Sequence, residues 1–376
     1  MANALINISE LTPTLFSAAQ QVSAEPFGIV DGIFTSFDNK GVAKGDKVTV
    51  PVSPVSEAED FTPNNVTPEG TARTEGKVDV EITKSRKSKP YALSGEQIRS
   101  LENGGNFQEW VRQWAAQSMR VLRNEMEKDC AVAIKIGASR ATGTSGTTPF
   151  ASDLSGLTAV RKILRDNGAP MADLQFAINS NTELNMLNLG IVQQAYAAGS
   201  AEERRRGTLL PQLGFNIRTS AGLDQHTAGT WTTGNGTVVK GAVSGAITHS
   251  AGQFLPGDII SLADVPGEYV INSADATANT VAINRPGWLA AGTTKAVTLS
   301  AAYTPNLAFE RNAVVGIVRP PLMPTNATMR TMPITDEFGM TYLFVEIQQY
   351  GQITWEIHSA WGFKVVQPEH VAILKG

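Results

Sequence analysis

Residues 106 to 136 read NFQEWVRQWAAQSMRVLRNEMEKDCAVAIKI, with no Gly or Pro inside. Apolar side chains recur at Phe107, Trp110, Val111, Trp114, Met119, Leu122, Met126, Cys130, Val132 and Ile134. Spacings of three and four place most of them on one face, which predicts a single amphipathic helix. Asn106 with Glu109 three positions later has the form of a capping box, and Gly137 is a natural stop. At 1.5 Å per residue such a helix is a rod of about 45 Å.

Upstream, the pattern changes period. Val48, Val50 and Val52 alternate with polar residues, and so do Val78, Val80 and Ile82 in KVDVEIT. Both runs predict strands. Between them, residues 53 to 76 hold four acidic residues before Gly70, several Pro and Gly, and few bulky apolar side chains. The two strands and their polar tip predict an extended hairpin with no core of its own. Such a hairpin is marginal in water, so another surface must hold it, and a second subunit is the expected holder. Residues 1 to 46 read as an arm with a helix from Ser9 to Ser23. Leu11, Leu15, Phe16 and Ala19 follow helical spacing, with Pro13 near the first turn.

Downstream, residues 138 to 152 read as a loop. A short helix capped by Asp153 or Ser155 runs through Arg165, with a strand at 174–179, a helix at 181–189 and a strand at 215–219. Residues 194 to 208 (AAGSAEERRRG within them) read as a mobile-looking loop. From 224 to 302 the chain is rich in Gly, Ala, Thr and Val and poor in charge. Asn235-Gly236 is a hairpin-turn signal, and short strands are predicted at 243–248, 258–262, 268–272, 280–284 and 296–299. That spacing predicts a small β sandwich or barrel inserted into the chain. Longer strands close the sequence at 340–349, 352–358, 361–366 and 371–374.

At 376 residues the chain exceeds one compact core, so two or three domains are expected. It is 42% hydrophobic and 18% charged, as folded soluble proteins are. A net charge of −4 argues against a sequence-reading nucleic-acid binder. The single Cys130 forms no intrachain disulfide and reads as a buried small hydrophobe in a reducing compartment. The start lacks the layout of a signal peptide, and no run of 18 apolar residues predicts a membrane span.

Candidate chemistry is sparse. His226, His249, His358 and His370 show no metal-ligand spacing, so no metal is expected, and His370 reads as a surface or turn residue. GTSGTT at 143–148 lacks the Lys and spacing of a phosphate-binding loop. Glu57 and Glu59 lie in the polar hairpin tip, where no water-excluded active site forms. Neither catalytic residues nor a cofactor are assigned, and the expectation is a protein that is not an enzyme. The densest charge run is Lys84-Ser85-Arg86-Lys87-Ser88-Lys89 at the hairpin root. It fits a solvated edge strand, since Lys protects edges from mispairing, and equally a contact to a neighbouring subunit or to nucleic-acid phosphate. Arg204 to Arg206 follow Glu202 and Glu203, which neutralise them locally. Lys84, Arg86, Lys87, Lys89, Trp110 and Trp114 are the candidate assembly contacts. Trp110 and Trp114 are also expected to pack on the late strands around Phe344 and Trp355.

The order of these parts resembles the major capsid proteins of tailed bacteriophages, the HK-ninety-seven-type fold, and more narrowly the P-twenty-two-like coat proteins with an extra β-rich domain. The segments that carry the resemblance are GDKVTVP at 45–51, SGEQIR at 94–99, NLAFERNA at 306–313 and AWGFKVVQPE at 360–369. It implies an α+β fold with an N-terminal arm at 1–46 and an E-loop hairpin at 47–93. A peripheral domain with the spine helix would comprise 94–155 and 325–355. An axial domain would comprise 156–223, 303–324 and 356–376, and the β-rich insertion 224–302. It further implies a subunit that assembles with itself, as pentamers and hexamers, into an icosahedral shell around double-stranded DNA read without sequence recognition. Scaffolding and portal proteins are implied partners and a decoration protein a further candidate. The implied location is the virion, after assembly in the host cytoplasm. An encapsulin-like compartment shell and a bacterial surface β-protein are the alternatives.

Overall fold

The computed structural model describes residues 8–23, 28–37, 41–52, 76–105, 107–190, 213–248, 251–324, 328–336 and 339–376. The hairpin tip with Glu57 and Glu59, the Arg204–Arg206 run, the Asn106 cap and His249 lie outside them. Helix α1 is Ile8–Ser23, α2 Gly95–Asn103, α3 Phe107–Gly137, α4 Ser155–Asp166 and α5 Ser180–Asn188. The strands up to α3 are β1 (Phe34–Phe37), β2 (Lys47–Val52), β3 (Gly76–Glu81), β4 (Lys84–Lys87) and β5 (Tyr91–Ser94). Then come β6 (Arg140–Gly143), β7 (Leu174–Ile178), β8 (Phe215–Thr219), β9 (Asn235–Val238), β10 (Ser244–Ile247), β11 (Ile259–Leu262), β12 (Val265–Asp275), β13 (Thr280–Ile283) and β14 (Gly292–Leu299). The last six are β15 (Pro305–Glu310), β16 (Val314–Arg319), β17 (Met329–Thr335), β18 (Thr341–Gln349), β19 (Gln352–Val365) and β20 (Val371–Lys375).

The predicted rod is α3, 31 residues long. Phe107, Val111, Ala115, Met119, Leu122, Met126, Cys130 and Ile134 form its buried stripe, one residue per turn. Val132 falls off the stripe and is exposed, whereas Trp110 and Trp114 are half-buried against the core. Gly137 is the last helical residue, and a Cβ there would lie 2.4 Å from Val365 Cγ2, so close packing selects it. The stripe threads one continuous core that reaches from α1 and the late strands to β15 and β20. Burial of that stripe, worth about 1.5–3 kcal/mol per large side chain, is what makes α3 the spine of the molecule.

The seven-stranded sheet runs β1-β16-β19-β18-β17, with β4 and β5 on the other edge of β19. β19 is one strand of 14 residues, where the sequence predicts two; Ser359 and Ala360, read as a break, are fully buried in it. The boundary placed between 355 and 356 therefore falls inside a strand, and β16, placed with the axial segment, joins this same sheet. One face of the sheet covers α3 and α1. Leu11 and Leu15 of α1 are buried there; Phe16 is exposed instead, and Pro13 sits in the second turn. The arm thus docks on its own subunit.

A second, eleven-stranded sheet contains β6, β20, β15, β7 and β8 in that order. Helices α4 and α5 cover it through Leu157, Val160, Leu164 and Met186. β6 lies where a loop is predicted; it pairs with β20 on one side and β12 on the other. Through β12 the sheet continues into the insertion. There β11-β14-β9-β10-β13-β12 closes back on β11, so six antiparallel strands form a barrel. Its interior is a core of its own, including Trp231, Phe254, Tyr269, Ile271 and Trp288. Asn235-Gly236 opens strand β9 and is no turn: a Cβ on Gly236 would meet Val297, Leu262 and Ile247 at 3.1 to 3.4 Å inside the barrel.

Candidate assembly surfaces

The β2–β3 hairpin forms a separate two-stranded sheet that joins no other strand among the described residues. Its alternation selects one apolar face, and burial along that face is graded. Val80 and Ile82, at the root, are fully buried with Val315, Ile317, Ala360 and Val366. Val48, opposite Val80, and Val50, Val52 and Val78, farther out, are only half-buried. The root therefore has a core after all, on the outer face of the seven-stranded sheet. Gly362 of β19 makes this possible, since a Cβ there would lie 2.0 Å from the Glu81 carbonyl oxygen. Lys364 Nζ donates to the Asp79 carbonyl (2.9 Å). A cleft of about 400 Å³ between hairpin and β19 is lined by Lys47, Lys77, Asp79, Glu81, Phe363 and Lys364.

The basic run at the root lies mostly in β4, paired with β19. Lys84 Nζ sits 2.6 Å from Asp129 and Arg86 Nε 3.6 Å from Glu125, both on α3. Lys87 Nζ donates to Glu356 of β19 at 2.8 Å. Burial pushes the Glu356 carboxyl up, but the Lys87 ammonium and the His358 ring outweigh it and leave its pKa below the usual range. Three of the four candidate cations are thus engaged within the subunit, each half-exposed pair worth about 0–1 kcal/mol. Lys89 is exposed.

Trp110 and Trp114 pack where the sequence places them. Trp114 stands 6.4 Å from Phe344 and 6.2 Å from Trp355, centroid to centroid; Trp110 lies 6.0 Å from Trp355 and 4.7 Å from Tyr91. They seal the end of the α3–β19 core, so their first role is within the subunit.

Two polar sites on α3 escape the sequence reading. Arg123 and Glu127 fall on the apolar stripe, and both are buried. Glu127 accepts from the backbone N–H of Gly28, Ile29 and Val30 and from Ser220 Oγ, at 2.6 to 3.2 Å. Their placement between Met119, Leu122, Met126 and Cys130 was the available signal. At the helix end, Lys135 Nζ lies 3.2 Å from His226 Nδ1, and His226 Nε2 lies 2.8 Å from Asp258. Asn284 donates to the carbonyls of Ile136 and Ala138 at 2.7 and 2.8 Å, satisfying helix-terminal acceptors. The barrel is thus clamped to the end of the spine. His370 sits in a half-buried 3-10 turn. No group of His, Cys, Asp and Glu suited to a metal occurs among the described residues, and no described helix is long and apolar enough to cross a membrane.

No protein-family model matches the chain, and no curated protein matches it. Solved structures do align with it. The capsid of cyanophage P-SCSP1u aligns with TM-score 0.48 and 13% identity, over 93% of this chain and 88% of that one. The mature capsid of bacteriophage PhiM1 gives TM-score 0.48 and 8% identity over 91% and 85%. A virus-like particle from Pyrococcus furiosus gives TM-score 0.43 and 10% identity over 96% and 98%.

Proposed function

We propose that this chain is a major capsid protein, a structural subunit that assembles with copies of itself into the icosahedral head shell of a tailed bacteriophage. The observation that carries the proposal is the hairpin. Its root is buried on its own subunit, but its apolar face continues outward through Val50, Val52 and Val78 beyond full cover. A two-stranded sheet that joins no other strand among the described residues gains its remaining burial by lying on another surface. A repeating assembly supplies that surface from the next copy. The order of arm, hairpin, spine helix, mixed sheet and inserted barrel supports the same reading.

The subunit's work is mechanical. The α3 rod ties the two sheets and the barrel into one body, so a load at one edge reaches the others. A net charge of −4 suits a wall past which packaged DNA moves, because phosphate binding needs a basic surface. Scaffold, portal and decoration partners, assembly in the host cytoplasm, and residence in the virion belong to the same proposal. The test is electron microscopy of the purified protein under assembly conditions. Closed shells of uniform size are expected; only monomers or irregular aggregates would overturn it.

A further inference from the structure

A buried polar cluster lies away from the hairpin, where residues 28–33 meet the middle of α3. Arg123 Nη2 donates to both carboxylate oxygens of Asp31, at 3.1 and 3.2 Å. Its Nη1 donates to Asp336, in the β17–β18 turn, at 3.3 Å. Asp336 also accepts from the Met340 N–H at 2.9 Å. One helical turn along, Glu127 holds the three N–H groups of Gly28, Ile29 and Val30. Arg218 of β8 approaches from the sheet side: it donates to Gln175 at 2.7 Å and would lie 3.2 Å from a Cβ on Gly32. Tyr342 of β18 completes the wall, with its hydroxyl 3.9 Å from Met340 sulfur. Three carboxylates (Asp31, Glu127, Asp336) thus face two guanidinium groups (Arg123, Arg218), an excess of one negative charge when all are ionised. Arg123 is fully buried and is shared between two carboxylates. Asp31, with its side chain 15% exposed, is the carboxylate on Arg123 that solvent reaches.

We propose that the Asp31–Arg123–Asp336 bridge is a proton-operated clasp that grips residues 28–33 on α3 when one of its carboxyls is protonated and loosens as that proton leaves. Burial pushes the Asp31 carboxyl up to about 6; Arg123 pulls against this and Glu127 adds to it. A carboxyl whose pKa is higher in the closed state than in the open one takes up a proton on closing. Its contribution is therefore complete below the ordinary value of 3.8 and is lost as pH rises through about 6. The device needs no assembly, so its failure and that of the shell reading are separable.

The test is amide exchange on the soluble full-length chain, corrected for intrinsic rates, at Ile29, Val30 and Gly32 between pH 5 and pH 7.5. With the open-state value at 3.8 and the closed one near 6, protection should fall about tenfold over that interval, steeply up to about pH 6 and little above it. Asp31→Asn, which mimics the protonated carboxyl, should hold the high protection and vary less than about twofold. Asp336→Asn removes only the weakest influence that raises Asp31, so most of the fall should persist in it. If either variant fails to fold, the wild-type profile still decides. A flat or rising wild-type profile, or a folded Asp31→Asn that keeps the tenfold fall, overturns the clasp.

Discussion

Gly362→Ala is the smallest change that probes how the hairpin is mounted. Gly362 lies in regular strand, so alanine fits its backbone and any effect is steric. The new Cβ would sit 2.0 Å from the Glu81 carbonyl oxygen, 2.9 Å from its carbon and 3.1 Å from Ile82 Cα. Real Cβ atoms do not approach backbone that closely, and no flexible side chain is present to yield. The root must lift, and Val80 and Ile82, now fully buried against Ala360 and Ile317, lose contact. Overpacking of this kind costs about 1–3 kcal/mol, and fully exposing either side chain would cost about 1.5–3 kcal/mol. The outer face of the sheet carries the loss, while the α3 core on the opposite face is untouched. Urea unfolding should therefore show about 1–3 kcal/mol of destabilisation, with amide protection lost at Val80 and Ile82 and retained along α3. A variant with wild-type stability and wild-type protection at those two residues would refute this mounting.

Trp114→Ala should destabilise by about 2–3 kcal/mol, below the 3–5 typical of a fully buried Trp because Trp114 is half-buried; an unchanged unfolding midpoint would mean its contacts with Phe344 and Trp355 are absent. Lys87→Glu sets a carboxylate against Glu356 and should weaken both stability and assembly, whereas Lys89→Glu should leave the soluble subunit's stability unchanged; equal effects on stability would contradict the intrachain pairing. Residues 224 to 302, expressed alone, should give dispersed β-type amide signals, because the six strands close on their own core; a random-coil spectrum would make the barrel dependent on the spine that clamps it.

The sequence made legible what depends on local periodicity. The α3 stripe and the alternating valines of β2 and β3 follow from spacing alone; that Trp110 and Trp114 face Phe344 and Trp355 is expected from the resemblance, which brings the late strands back to the spine. What it hid depends on partners far along the chain. The cations of β4 look free in the sequence, yet their carboxylates lie on α3 and β19. Small residues misled where close approach selects them. Gly236 reads as a turn but faces a barrel interior, and Ser359 and Ala360 read as a break but lie buried within β19. β6 is short and polar, and it is a strand only because β20 and β12 flank it. Arg123 and Glu127 broke the apolar pattern of α3 in plain view. Their partners, the backbone N–H groups of residues 28–30 for Glu127 and the Asp31 and Asp336 carboxylates for Arg123, lie far along the chain.

The most direct test of the central claim is amide exchange along Lys47–Val52 and Gly76–Glu81, in free subunits and in the assembled form. Edges that pair with no further strand among the described residues, and half-covered valines, predict that the outer residues, Val50 to Val52 and Gly76 to Val78, exchange readily when free and become strongly protected on assembly. The buried root at Val80 should be protected in both states. Equal exchange of the outer residues before and after assembly would contradict a hairpin that lies on the neighbouring subunit.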